Sequence, residues 1–356
     1  MELLHNKFRL AAIAYILFVI GATAFLLFTW GETLYRTAFV ISHVVPGVPK
    51  WFESGKHEVK VQEIELPHPK DDIRDSRNNS SREVYIYLPQ DAKRSAFVIF
   101  IPGFTPEGAL DSRLVNLANS FAGAGIGVAV PDSQTIRKKT FSRDDINLIK
   151  DTFLFLQGRP YVDRERIGIG GFSIAGSYAL CAASKLGNDP LFVLSIGGYF
   201  NLRDLLIEVL SESAVYNGEK RLWKPDSLPK EVVFNSIAHQ MGKKEAHELF
   251  PSEDLTFHEA EQFIKSSPQE FLHELDELSP SSTISQIKSR VFLMHDKNDN
   301  VIPVEESRKI RDALPKNIPI SYNEFSILRH VTPKTFLTTD ILKFSWQVLS
   351  IVKLLI

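Results

Sequence analysis

Ser173 stands in the stretch Ile167-Gly168-Ile169-Gly170-Gly171-Phe172-Ser173-Ile174-Ala175-Gly176. There an apolar strand pattern runs straight into a helical one, Ser177 to Ala183. A serine on such a sharp strand-to-helix turn has strained dihedrals and an exposed hydroxyl. The residues two before and two after it must be small, or their Cβ atoms would force strand and helix apart. Gly171 and Ala175 meet that need. The helix N-terminus also directs backbone N–H groups toward the hydroxyl, where negative charge would develop during nucleophilic attack.

A serine hydroxyl is a poor nucleophile at neutral pH. It needs a base, and the base needs an orienting acid. Two aspartates, Asp296 and Asp299, sit in the polar turn that closes the apolar run from Arg290 to Met294. His330 follows the next strand pattern, Ile320 to Phe325. Of the 10 histidines, His330 alone lies beyond Asp299. Each residue has a competitor. Ser177 satisfies the same small-x-Ser-x-small spacing one helical turn further on. Asp299 could simply close a turn, leaving Asp296 as the acid, and His330 could be a surface loop residue.

The order Ser173, Asp299, His330 is the nucleophile–acid–histidine order of the α/β-hydrolases. The chain resembles that family over roughly residues 55–350, closest to its dienelactone-hydrolase and prolyl-oligopeptidase-like branches. His295-Asp296-Lys297-Asn298-Asp299-Asn300-Val301-Ile302-Pro303 is similar to the family turn H-G-x-x-D-x-x-V-P. The match puts the acid at Asp299 and places Asp296 where the family has glycine. The oxyanion site needs two N–H donors, and Ile174, next after the nucleophile, supplies one. Pro102-Gly103-Phe104 resembles the family His-Gly-x loop, with proline for histidine, which implies Phe104 N–H as the second. A plain Pro-Gly turn is the alternative.

The positioning elements are legible as patterns. Glu58 to Leu66 and Glu83 to Leu88 alternate like half-buried antiparallel strands, separated by a polar stretch, Asp71 to Ser81. Ala96 to Ile101, Gly125 to Asp132 and Leu191 to Gly197 read as buried strands. Leu110 to Ala124 and Arg143 to Gln157 carry helical spacing. Eight strands alternating with helices predict an α/β fold: a mostly parallel, doubly wound sheet with helices on both faces. Residues 55–198 and 286–356 form its two halves. Residues 199–285 interrupt the pattern with amphipathic pieces, Glu231 to Phe250 and Thr256 to Leu278. An insertion of this length exceeds a simple loop and predicts a helical cap over the site. An enlarged helical layer away from the site is the alternative. Ile341 to Ile356 reads as the last amphipathic helix.

The N-terminus carries a second message. After the flank 1–9, Leu10 to Trp30 contains no charged residue. At about 1.5 Å per residue this run crosses a hydrocarbon core of roughly 30 Å. A signal peptide cleaved after Ala22-Thr23-Ala24 is the rival, but it would leave Phe25-Leu26-Leu27-Phe28 on the new terminus. The expectation is an uncleaved transmembrane helix. Lys7 and Arg9 before it put the N-terminus in the cytoplasm and the catalytic domain on the non-cytoplasmic side. Residues 31–54 then form a juxtamembrane linker, either lying in the membrane interface or packed as a helix on the domain.

Composition agrees with one large globular core: 356 residues, 44% hydrophobic and 24% charged. A formal net charge of -2 argues against a nucleic-acid partner. The single cysteine, Cys181, excludes an intrachain disulfide, and its place in the helix after Ser173 suggests packing. No zinc spacing, P-loop or dinucleotide fingerprint occurs, so no cofactor or metal is expected. The resemblance implies a serine hydrolase, and the uncharged run Leu10 to Trp30 adds the expectation of a membrane anchor. Such an enzyme would cleave carboxylic esters or thioesters of small molecules or lipids through an acyl-enzyme on Ser173. An acyltransferase or peptidase using the same triad stays open, as does a catalytically silent binding module.

Overall fold

A computed structural model describes residues 29–50, 55–67, 82–90, 93–187, 190–242, 244, 246, 250, 255–326, 328, 330–331 and 340–356. Eight strands form one sheet: β1 (Val59–Glu65), β2 (Glu83–Pro89), β3 (Ser95–Ile101), β4 (Gly127–Pro131), β5 (Val162–Phe172), β6 (Phe192–Ile196), β9 (Arg290–Asp296) and β10 (Ile320–Phe325). Their order across the sheet is β1-β2-β4-β3-β5-β6-β9-β10. β2 pairs antiparallel with both β1 and β4, and the pairs from β4 onward are parallel. The alternating pattern of β1 and β2 fits this antiparallel edge. The continuous apolar runs of β3 and β4 fit burial on both faces.

Strand side chains alternate between two cores. Phe97, Ile99 and Ile101 of β3 join one cluster, with Ile146, Ile149 and Phe153 of helix α4 (Arg143–Gln157) and Ala175 and Tyr178 to Ala183 of helix α5 (Ile174–Leu186). Ala96, Val98 and Phe100 join the other, with Leu114 and Phe121 of α2 (Ser112–Gly123). Period-two alternation makes these the two faces of the sheet. The second face is also covered by the C-terminal helix (Asp340–Leu355), through Val348, Ile351 and Val352.

The same face receives helix α1, described over residues 29–44. It buries Phe39, Val40 and Ile41 against the domain. Phe39 lies over Gly123, Arg36 Nη1 donates to the Ala124 carbonyl at 2.6 Å, and Asn116 Nδ2 donates to the His43 carbonyl at 2.6 Å. Lys353 Nζ sits 3.9 Å from the centre of the Trp30 ring. Residues 31–44 are thus a helix packed on the domain. The expected membrane span lies outside the described residues except for Thr29 and Trp30. Among the described residues no helix is long and apolar enough to cross a membrane.

The region 199–285 departs from an all-helical reading. It contains α6 (Leu202–Leu210), a hairpin of β7 (Ser213–Tyr216) and β8 (Glu219–Leu222), α7 (Ser227–Met241), α8 (Phe257–Lys265) and α9 (Gln269–Glu277). The hairpin turns on Asn217 and Gly218, both at positive φ (52° and 80°). That is the backbone a two-residue primed turn requires. The helical pattern Thr256 to Leu278 is broken in two at Ser266-Ser267-Pro268, because proline disfavours helical backbone in the residue before it.

Candidate active site

β5 ends at Phe172 and α5 begins at Ile174, so Ser173 is the whole turn between them. Ser173 adopts φ 55° and ψ -134°, a backbone region in which a non-glycine residue is strained. Its N–H donates to the Ile196 carbonyl at 2.7 Å, and its carbonyl accepts from Gly176 N–H at 2.8 Å. The need for a small residue two before it is severe. A Cβ on Gly171 would stand 2.0 Å from the Ala175 carbonyl oxygen. Ser177 is placed differently. It is fully buried; its hydroxyl donates to the Tyr199 carbonyl and accepts from Tyr199 N–H, both at 2.7 Å. Both roles of that hydroxyl are spent on tying α5 to the loop after β6.

β9 leads into the turn that carries Asp299. Asp299 is 2% exposed. Its Oδ1 accepts from Val301 N–H at 2.8 Å and Ile302 N–H at 3.0 Å, and its Oδ2 lies 2.7 Å from His330 Nδ1. Burial pushes its pKa up, but the adjacent His330 charge and the hydrogen bonds from His295 and His330 outweigh it. The net effect holds the carboxyl well below the usual carboxylate range. Asp296 does other work. Its Oδ1 accepts from Asn298 N–H at 2.8 Å and its Oδ2 from Leu328 N–H at 2.6 Å. It therefore braces the loop two residues before His330. His330 itself has φ 64°, in the left-handed region that histidine enters more readily than most residues.

Ser173 and His330 flank the tip of β6. Ile196 accepts from Ser173 N–H, while a Cβ on the next residue, Gly197, would stand 3.5 Å from the His330 ring. Both line one cavity of about 700 Å³, together with Gly103, Phe104 and Ile174. The loop after β3 closes on the serine: a Cβ on Gly103 would lie 2.8 Å from Ser173 Cβ. Side chains tether that loop. Asp132 accepts from Ala109 N–H at 2.8 Å and from Nε of Arg137, in the short helix α3 (Gln134–Lys138), at 2.9 Å, and Thr105 Oγ1 donates to Asp111 at 3.1 Å. The Asp111 carboxyl is pulled to about 2 by the hydrogen bond from Arg113, against the effect of burial. Among the described residues, no backbone carbonyl accepts from Phe104 or Ile174 N–H.

Three supporting residues escaped the sequence reading. His295 is fully buried, with Nδ1 2.6 Å from Ser307 Oγ and Nε2 2.9 Å from the Ile302 carbonyl. Its Nε2 is also 3.3 Å from Asp299 Oδ2, so two imidazoles face one carboxylate oxygen. Burial lowers the His295 pKa, but the hydrogen bond and charge of Asp299 outweigh it and leave the pKa raised. Trp223, in the 199–285 insertion, donates its indole N–H to the Asp299 carbonyl at 2.7 Å. Asp226 N–H, from the same insertion, donates to the Asn300 carbonyl at 2.7 Å. The insertion also reaches the cavity, through Leu205, Leu206 and Val209 of α6 and Leu228, Val232 and Val233 of α7. Cys181 is buried away from it; burial pushes its thiol up to about 12. Among the described residues no cluster could hold a metal ion.

The sheet order, the turn at Ser173 and the histidine after the last strand are those of the α/β-hydrolase fold. Comparison with solved structures agrees. A 2,6-dihydroxy-pseudo-oxynicotine hydrolase is similar with TM-score 0.50 at 18% identity, over 83% of this chain and 68% of that one. Dipeptidyl peptidase 4 of Porphyromonas gingivalis matches with TM-score 0.51 at 13% identity, over 85% of this chain and 36% of that one. A puromycin-hydrolyzing peptidase of Mycobacterium tuberculosis matches with TM-score 0.51 at 16% identity, over 78% and 36%. The likeness is one of fold. This chain spans only about a third of the length of those two peptidases. No protein-family model matches the sequence, and no curated protein does either.

Proposed function

We propose that this protein is a serine hydrolase that cleaves carboxylic esters or thioesters through an acyl-enzyme on Ser173. The observation that carries the reading is the His330–Asp299 pair at 2.7 Å, set on the same cavity as a serine at positive φ. Asp299 stays ionised at neutral pH and accepts from Nδ1–H, which leaves Nε2 of His330 with its lone pair. That tautomer is the one a general base needs.

Ser173 Oγ attacks the acyl carbon while its proton passes to His330 Nε2. The Phe104 and Ile174 N–H groups receive the charge that develops on the carbonyl oxygen. Collapse of the tetrahedral species breaks the bond to the alcohol or thiol, which takes the proton from His330. Water then attacks the acyl-enzyme, giving its proton to His330, and the acid is released as that proton returns to Ser173. Asp299 holds the ring and balances the transient imidazolium.

Fluorophosphonate labelling tests the reading. The wild type should be labelled at neutral pH and Ser173→Ala should not; an unlabelled wild type would favour a silent hydrolase-fold module. Matched ester and amide substrates separate esterase from peptidase, the alternative that the structural neighbours support. Product analysis in the presence of an added alcohol separates hydrolysis from acyl transfer. The uncharged run Leu10 to Trp30 supports the further proposal of a single membrane anchor with the catalytic domain on the non-cytoplasmic side. Retention in alkaline-washed membranes, with the domain digestible from the outer side, is the expected result.

A further inference from the structure

The cavity at Ser173 is not confined to one face of the sheet. Leu205, Leu206 and Val232, on its wall, belong to the core cluster of the insertion face. Val40, Phe121 and Val348, also on its wall, belong to the opposite cluster. The cavity therefore passes around the carboxyl edge of the strands, with Ser173 and His330 at the crossing.

We propose that the second lobe, under helix α1 and the C-terminal helix, holds an unbranched aliphatic chain of the ester substrate, and that α1 limits the length of that chain. The inference rests on the serine-hydrolase reading and names its substrate class. The lobe is walled by Val40 and Val44 of α1, Leu117 and Phe121 of α2, and Val348 and Ile351 of the C-terminal helix. All six are apolar. The charged wall residues nearby, Asp111 and Arg113, are paired with each other at 2.6 Å, and Asn116 is bonded to the His43 carbonyl. A charged or strongly hydrated group entering this lobe would lose water without gaining a partner. An aliphatic chain gains with each methylene it removes from water. The chain's place in the ester, acyl or alcohol side, is left to the test.

The experiment is a chain-length series on the full chain in detergent. One arm runs p-nitrophenyl acetate, butyrate, octanoate and laurate. The other runs acetate esters of alcohols of increasing length. Rates are expressed per Ser173 site titrated with fluorophosphonate, so a loss of folded enzyme cancels. Wild type should show kcat/KM rising by up to about fourfold per methylene along one arm until the lobe is full. Val44→Trp should shorten the preferred chain and cut the ratio of the longest to the shortest substrate by about tenfold or more. Val348→Trp, from the opposite wall, should do the same. A flat profile in both arms overturns the proposal, and so does a wild-type length preference in both tryptophan variants. If wild type neither labels nor cleaves any ester, the serine-hydrolase reading falls first, and this one with it.

Discussion

Trp223 donates its indole N–H to the backbone carbonyl of Asp299 at 2.7 Å. The donor belongs to the insertion and the acceptor to the turn after β9, 76 residues apart in sequence. A buried carbonyl that loses its donor costs about 1–3 kcal/mol. Trp223→Phe keeps a ring in place but removes the N–H. It should lower unfolding stability by about that amount in urea titration and reduce kcat as the acid turn loosens. Unchanged stability together with unchanged kcat would show that the insertion does not support the acid.

Asp299 and Asp296 predict opposite patterns. Asp299→Asn cannot accept as a charged partner from both imidazoles and should lower kcat on the order of ten-thousandfold with little change in KM. Asp296→Asn keeps an oxygen for one of its two backbone donors. It should cost stability and about tenfold in kcat through the loop that carries His330. Steady-state kinetics on the two variants decide it. If Asp296→Asn proves the more damaging to kcat, the acid has been misassigned.

Gly103→Ala tests the loop that faces the serine. The added Cβ would sit 2.8 Å from Ser173 Cβ and 3.1 Å from the Phe172 carbonyl oxygen, so loop and turn must separate. A misplacement of about 1 Å at a reacting group costs about a hundredfold. The expected result is that loss in kcat with fluorophosphonate labelling slowed in parallel. Labelling at the wild-type rate would show that the loop does not shape the site.

Asp145 sets a pH dependence of stability. Burial pushes its carboxyl up to about 7, against the hydrogen bonds of Ser133 and Thr135. Its folded pKa is above the ordinary carboxylate value. Between about 4 and that raised pKa the folded protein therefore holds a proton that the unfolded chain has released. This group's contribution to stability falls as pH rises through the window. The melting temperature of Asp145→Asn should decline less than that of wild type between pH 4 and pH 7, measured by circular dichroism. Parallel curves would remove Asp145 as the cause.

Local order was legible along most of the chain. The pattern Arg143 to Gln157 and the helix α4 coincide, since capping by Ser142 and one apolar stripe are both sequence-local. The C-terminal pattern Ile341 to Ile356 became a helix over Asp340–Leu355. Helix α7 starts at Ser227, ahead of the expected Glu231, because Pro229 is tolerated in a first turn. It ends before Gly242, at φ 96°. The hairpin at Asn217-Gly218 carries a readable turn signal inside the insertion whose amphipathic spacing predicts helices.

Alternation of strands and helices, and a serine between small residues on a strand-to-helix turn, are properties of neighbouring residues; the amino-acid sequence alone determined them. The pairing of His330 with Asp299, the contact of His295 with that carboxylate and of Trp223 with the Asp299 backbone carbonyl, and a cavity that crosses the sheet edge join segments far apart in the chain. Only the tertiary structure decided these, because each depends on where side chains from separate elements meet, and periodicity says which face a residue takes but not which partner waits there.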